Sequence, residues 1–366
     1  MSTILTALLA AATLVAPPET FDLPAPTGPH DLGTRQVHLV DPARDRELMI
    51  TTWYPARAGG EPFAPYLSPA SAAAFDQGHA AMGLRPGQVD WGSTTTHARV
   101  DARPVGRWPV VLYSPGYGSL RTLATTAAED LASRGYVVVA LDHTHEAPFV
   151  EFPGGRLEVR QPPGDDPLRT ALATRVADAR FVLDRLPSVL GSSADLSRIG
   201  MFGHSYGGDT TAELMVTDRR VDAGANLDGW LAYDIDGTQP TRAATEGVDR
   251  PFLLMGSAGN SRDGQVRTHR TAPAWGAFWE HSTGFQRDLV MAQAMHYSYT
   301  DVQSFLPQLD ADPAVRALRI GTVDPARSTA SQRAYLAAFF DRALKHRPQP
   351  LLRHESPDHP DVAFVR

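Results

Sequence analysis

The sequence predicts an α/β fold, with a mostly parallel sheet of about eight strands and helices on both faces. Three observations carry that expectation. Residues 110–113 and 137–141 are continuous apolar runs, as strands covered on both faces require. Runs of this kind alternate along the chain with stretches of helical spacing. A pentapeptide of the form Gly-x-Ser-x-Gly, residues 203–207, stands between a strand-like run and a helix-like one.

In chain order, residues 36–40 and 48–54 read as an opening antiparallel hairpin, joined by the polar turn 41–47 with Pro42 in it. The strand 110–113 is followed by a helical stretch, 123–132, and by the strand 137–141. Asp166-Pro167 supply an N-cap and a first-turn proline. After them Leu168, Leu172, Val176, Ala179, Leu183 and Leu186 keep helical spacing until Pro187. Strands are then expected at 199–202, 221–227, 252–255 and 287–293, with a helix over 209–215. Thr329 and Gln332 have capping-box spacing ahead of a late helix that buries Tyr335, Leu336, Phe339, Phe340 and Leu344. Two segments fall outside this alternation and are expected as insertions, 65–85 and 271–282. The first carries Tyr66, Leu67, Phe75, Met82 and Leu84, the second Trp275, Phe278 and Trp279. Each could line a substrate site or cover a sheet edge. Residues 21–366 are expected to form one domain around this sheet.

The pentapeptide Gly203-His204-Ser205-Tyr206-Gly207 matches a nucleophile elbow, in which a serine sits on a strained strand-to-helix turn. Side chains two residues either side of the serine would collide, and Gly203 and Gly207 remove them. A hydroxyl is a weak nucleophile at neutral pH, so the chemistry also needs a base and an orienting carboxylate. In the α/β-hydrolase fold these follow in the order serine, acid, histidine. His296, just beyond the last expected strand, is the strongest base. His269 and His281 read as solvated surface histidines. Asp228 and Asp263 both satisfy the chain order for the acid, and spacing does not choose between them.

Gly203-His204-Ser205-Tyr206-Gly207-Gly208, Asn226-Leu227-Asp228-Gly229-Trp230 and Met295-His296-Tyr297 resemble the active-site segments of the platelet-activating factor acetylhydrolases of plasma and intracellular type II. Residues 110–122 and 131–138 are similar to that family's strand, oxyanion loop and following helix, so the likeness runs from about residue 35 to about residue 342. The resemblance implies Ser205 as nucleophile, Asp228 as acid and His296 as base, with the backbone N–H groups of Tyr117 and Tyr206 as the oxyanion hole. It implies a carboxylic-ester hydrolase working through an acyl-serine on short-acyl esters, including acetylated glycerophospholipids. The family has His-Gly where this chain has Pro115-Gly116, and that proline resembles the loop of bacterial polyester-degrading cutinases and lipases. A polyester hydrolase, or an acyltransferase with the same triad, is the alternative.

Composition agrees with a soluble enzyme: of 366 residues, 42% are hydrophobic and 20% charged. Thirty-four Lys+Arg against 41 Asp+Glu give a formal charge of −7, which argues against general affinity for nucleic acid. The expected partner is a small-molecule or lipid ester, with transient contact to a lipid surface for the latter. The absence of cysteine excludes disulfides, thiolate metal sites and a cysteine nucleophile. The clusters His143-Thr144-His145-Glu146 and His354-Glu355 with Asp358-His359 lack a zinc-site spacing and read as a structural loop and a solvated tail. No cofactor and no metal are expected. Residues 4–16 form a short apolar run before Pro17-Pro18, which suits a signal peptide ending near residue 16 and a secreted protein.

Overall fold

The structure, a computed structural model, describes residues 16–366 apart from 58, 162–163, 235 and 259–265, and the side chains of 79 and 80. The expected signal run, through residue 15, and Asp263 lie outside the described residues. The first half of the chain forms β1 (Leu32–Asp41), β2 (Arg46–Pro55), β3 (Phe63–Pro65), α1 (Pro69–Asp76), β4 (Thr95–Val100) and β5 (Trp108–Ser114). Next come α2 (Thr125–Ser133), β6 (Val137–Leu141), the small hairpin β7 (Phe149–Phe152) and β8 (Arg156–Val159), and α3 (Pro167–Leu190). The nucleophile region follows as β9 (Ala194–His204), α4 (Tyr206–Thr217), β10 (Ala223–Leu227), α5 (Arg242–Glu246) and β11 (Phe252–Ser257). The last part forms α6 (Pro273–His281), β12 (Gln286–Met291), α7 (Val302–Phe305), α8 (Pro313–Ile320), α9 (Pro325–Leu344) and β13 (Val362–Phe364).

Eleven strands make one sheet, in the order β13-β12-β11-β10-β9-β5-β6-β2-β1-β4-β3. From β12 to β6 every pairing is parallel, whereas β2 and β1 join antiparallel at one side and β13 at the other. The strands expected from sequence are the run from β12 to β1; β4, with six residues, and the three-residue edge strands β3 and β13 are additions to it. The chain turns from β5 to β6 on one side and to β9 on the other. The carboxyl ends of β5 and β9 at such a reversal are the position where open α/β sheets carry their ligands.

The alternation of side chains along each strand divides the core into two layers. Val110, Leu112, Val137 and Val139 face α3, where Leu172, Val176, Ala179, Leu183 and Leu186 are buried. Val111, Tyr113, Val138 and Ala140 face α2 and α9, against Leu131, Phe339 and Phe340. Burying each Val, Leu or Phe side chain contributes about 1.5–3 kcal/mol, so these layers fix the sheet firmly. A third cluster at the rim joins Phe21, Tyr66, Leu67, Phe75, Leu84, Trp91, Phe149 and Phe305. Residues 65–85 therefore cover the end of the sheet with most of their apolar side chains. In 271–282, Trp275 and Phe278 are buried in the core, which leaves only Trp279 partly exposed.

Two helix boundaries, the end of α3 and the start of α9, differ from expectation by three residues or more for an identifiable reason. Helix α3 continues through Pro187 to Leu190, because a proline so near the end forfeits a single backbone bond and Gly191 N–H still closes on Pro187 O. Helix α9 begins at Pro325, four residues before Thr329, and is capped by Asp324, whose Oδ1 accepts from Arg327 N at 2.9 Å. The Asp-Pro pair that starts α3 also starts α8 and α9, and it outranks the Thr-x-x-Gln spacing. Among the described residues, no helix is long and apolar enough to cross a membrane.

Candidate active site

Ser205 links β9 to α4 with φ 53° and ψ −129°, a left-handed backbone that costs about 1–3 kcal/mol and persists only where surrounding bonds enforce it. Ser205 N–H donates to Leu227 O and Ser205 O accepts from Gly208 N, both at 2.8 Å. A Cβ on Gly203 would collide with the backbone of Gly207, and one on Gly207 with the carbonyl of Ser114. The elbow thus folds only with glycine at both positions, as the motif requires. The Ser205 hydroxyl has no hydrogen-bond partner among the described residues. Two backbone donors near it are likewise unengaged among the described residues: Tyr206 N–H, the first of α4, and Tyr117 N–H, in the loop after β5. An N–H in the first turn of a helix has no carbonyl within that helix to bond to.

His296 opens a short turn, His296–Tyr299, beyond β12. Its Nδ1 donates to Asp228 Oδ2 at 2.6 Å. Asp228 lies just past β10 with φ 57° and is almost wholly buried. Its Oδ1 accepts from Ser257 N at 2.9 Å and from Arg267 Nε at 3.3 Å, and its Oδ2 also accepts from Ser257 Oγ at 3.1 Å. Burial pushes this carboxyl up, but the Arg267 guanidinium and the His296 bond outweigh it and hold the group below its usual range. The loop is held from below as well: Asn226 Oδ1 accepts from Gly229 N at 2.7 Å, and Trp275 Nε1 donates to Gly229 O at 2.7 Å. Trp230 lies over the Arg267 guanidinium at 3.8 Å and flanks His296, with ring centroids 6.4 Å apart.

The residue before the serine joins the two halves of the site. His204 Nε2 lies 2.8 Å from His296 O, so it must carry the proton and donate. Burial, reinforced by the nearby His296 ring, pushes His204 down to about 3, so it stays neutral and serves as a fixed strut.

Ser205, Asp228 and His296, named from sequence, therefore converge at the carboxyl ends of β9, β10 and β12. The two rival histidines are engaged elsewhere. His281 ends α6 with Nδ1 3.3 Å from Ala244 O. His269, expected as a solvated surface residue, is instead held by Asp288 Oδ2 at 2.7 Å and stacked on Trp279 at 4.3 Å, because the 271–282 segment folds over it. Arg267 and Ser257 were not singled out by sequence. Ser257 could have been found as the residue ending its strand, whereas nothing local marks Arg267. The segment His143 to Glu146 is a loop in which His143 and Thr144 are buried: His143 bonds Ser114 Oγ at 2.9 Å and Asp178 Oδ2 at 3.0 Å. Among the described residues, no three His, Asp or Glu side chains converge as a metal site needs.

Asp209, in the first turn of α4, is fully buried; its Oδ1 accepts from Leu231 N at 2.9 Å, while Oδ2 has no partner among the described residues. Burial pushes this carboxyl up to about 7. A folded pKa above the unfolded one means that the folded state holds a proton the unfolded state has lost. The associated stability is complete below the unfolded value near 4 and is lost as pH rises towards 7, at up to about 1.4 kcal/mol per pH unit. Asp209→Asn is expected to remove this loss, so that the variant gains on wild type between pH 5 and 8. Urea midpoints at both pH values test it, and an equal pH dependence in the two proteins would rule it out.

Comparison with known proteins gives four findings. Residues 17–152 match the sequence model of the family described as platelet-activating factor acetylhydrolase, isoform II, a match that ends before Ser205. A protein of Arthroderma benhamiae named a probable 1-alkyl-2-acetylglycerophosphocholine esterase is 28% identical, over 99% of this chain and 98% of its own length. The platelet-activating factor acetylhydrolase of Gallus gallus is 23% identical over 65% of this chain and 66% of its own. Among solved structures, a ferulic acid esterase from Streptomyces cinnamoneus is 38% identical, with a TM-score of 0.78, over 94% of this chain and 99% of that one.

Proposed function

Since this chain belongs to the platelet-activating factor acetylhydrolase family of α/β-hydrolases and is a carboxylic-ester hydrolase, we propose that Ser205, His296 and Asp228 are its catalytic triad. The observation that carries the proposal is that His296, bonded to Asp228 at 2.6 Å, is tied through its carbonyl at 2.8 Å to His204, the neighbour of Ser205 on the elbow, where two backbone N–H groups are unengaged among the described residues. His296 takes the proton of Ser205 as Oγ attacks the ester carbonyl carbon. The tetrahedral oxyanion accepts hydrogen bonds from Tyr117 and Tyr206 N–H, donors fixed before the charge develops. His296 then gives its proton to the departing alcohol, which leaves an acyl-serine. Water attacks that ester with His296 as base, the acid departs and Ser205 regains its proton. Asp228 keeps the imidazole proton on Nδ1, so Nε2 faces the chemistry.

For the substrate, we propose short-acyl esters, acetylated glycerophospholipids among them. The Tyr117 ring meets Tyr206 edge-on at 6.1 Å and is covered by Arg160 at 4.8 Å, which supports a confined acyl side. Each methylene that fails to fit should cost about 1–3 kcal/mol of discrimination. A second reading, aromatic or polyester substrates, is favoured by the 38% identity to a ferulic acid esterase and by Pro115. A panel with acyl and alcohol parts varied separately decides. Acetyl to butyryl esters, including short-acyl phospholipids, are expected to be cleaved faster than long-chain esters. Preference for methyl ferulate or an aromatic polyester, with short-acyl phospholipid untouched, selects the second reading. Transfer to an added alcohol in preference to water would make the enzyme an acyltransferase.

A further inference from the structure

Beneath the loop that carries Tyr117 lies a buried ion pair that the triad does not use. Arg175, on α3, has no exposed surface, and all five of its N–H donors can be traced. Its Nε donates to Glu146 Oε2 at 2.7 Å, and one terminal nitrogen also donates to Glu146 Oε1. That same nitrogen reaches Gly116 O at 2.9 Å, while the other reaches Pro115 O at 2.7 Å and Ser114 Oγ at 3.3 Å. Glu146 Oε1 in turn accepts from Gly118 N at 3.1 Å. The pair therefore grips four of the five consecutive residues 114–118, and the one omitted is Tyr117.

We propose that Arg175 and Glu146 are positioning residues for ester hydrolysis, which orient and polarise the Gly116–Tyr117 peptide so that its N–H serves the oxyanion. The Gly116 carbonyl and the Tyr117 N–H belong to one planar amide. A guanidinium on the oxygen fixes that plane and draws electron density from the nitrogen, which strengthens the N–H as a donor. Glu146 neutralises the guanidinium and keeps its fork in register. A buried charge left alone would otherwise be strongly destabilising. The unlike ends of the pair thus hold opposite sides of the same loop, carbonyls on one and an amide on the other. Pro115 fits this arrangement, since it offers a carbonyl to the clamp and lacks an N–H that could compete for the oxyanion.

This inference rests on the oxyanion assignment above, and the test separates the two. Glu146→Gln, which keeps the shape, and Arg175→Met are compared with wild type on an ester and on its thionoester, whose sulfur accepts hydrogen bonds poorly. Rates are expressed per serine titrated with a fluorophosphonate, so that only folded sites are counted. Both variants should lose about 10²-fold in kcat with KM within about two-fold, as for a disabled oxyanion donor. The preference for ester over thionoester should shrink in step, and Arg175→Lys, which can still reach one carbonyl, should restore part of both. Unchanged kcat per titrated serine in Glu146→Gln overturns the proposal. So does a fall in kcat that leaves the ester-to-thionoester ratio at the wild-type value, which would mark mere loosening. Persistence of turnover in Ser205→Ala would instead defeat the triad assignment.

Discussion

Asp228→Asn is expected to lower kcat by a factor of about 10⁴, because an amide at this position can hold the imidazole in the wrong tautomer. Asp228 Oδ2 accepts from His296 Nδ1 at 2.6 Å while Oδ1 is occupied by Ser257 N and Arg267. An asparagine keeps the shape but can turn its NH2 toward Nδ1, which forces the ring proton onto Nε2 and removes the lone pair that Ser205 needs. The exchange also takes the countercharge from Arg267, so the variant should be assayed well below its own Tm. Asp263→Asn is expected to stay close to wild type. Steady-state kinetics of the two variants decide the matter, and the reverse pattern would move the acid to Asp263.

Ser205→Ala should reduce ester turnover by at least ~10³, leaving only what substrate binding and the oxyanion donors supply. The change deletes one unbonded hydroxyl and should leave folding intact. A fluorophosphonate should label Ser205 in the wild-type protein and nothing in the variant. Labelling of a different serine, with turnover retained in Ser205→Ala, would end the assignment.

What could be read from the sequence was local. The elbow is five consecutive residues whose steric demands are written in two glycines, so it needs no tertiary information. His296 could be found because a loop after the last parallel strand is a fixed address in this fold. The choice between Asp228 and Asp263 was open because both follow strands that end at the same edge of the sheet. The family likeness favoured Asp228, and the structure pairs that residue with His296. Arg175 and Arg267 gave no signal, and Glu146 stood out only within a loop cluster, since each works through partners far away in sequence. Arg175 reaches Pro115 across 60 positions and Arg267 reaches Asp228 across 39. The start of α9 was misplaced for the opposite reason: two local signals competed, and an aspartate locked in place by the following proline prevailed over a threonine five residues on.

The contact between His204 and the carbonyl of residue 296 has a mechanical meaning. It restrains the main chain of residue 296, while the imidazole is hydrogen-bonded to Asp228 and flanked by the rings of His204, Trp230 and Tyr297. A catalytic cycle moves a proton from serine to leaving alcohol, and later from water back to serine. The ring must therefore rock between two oxygens that occupy slightly different places. Anchoring residue 296 through its carbonyl fixes the mount and spends no hydrogen bond on the ring's Nε2. Because the strut is neutral and buried, neither acid nor salt in the surrounding medium should slacken the mount.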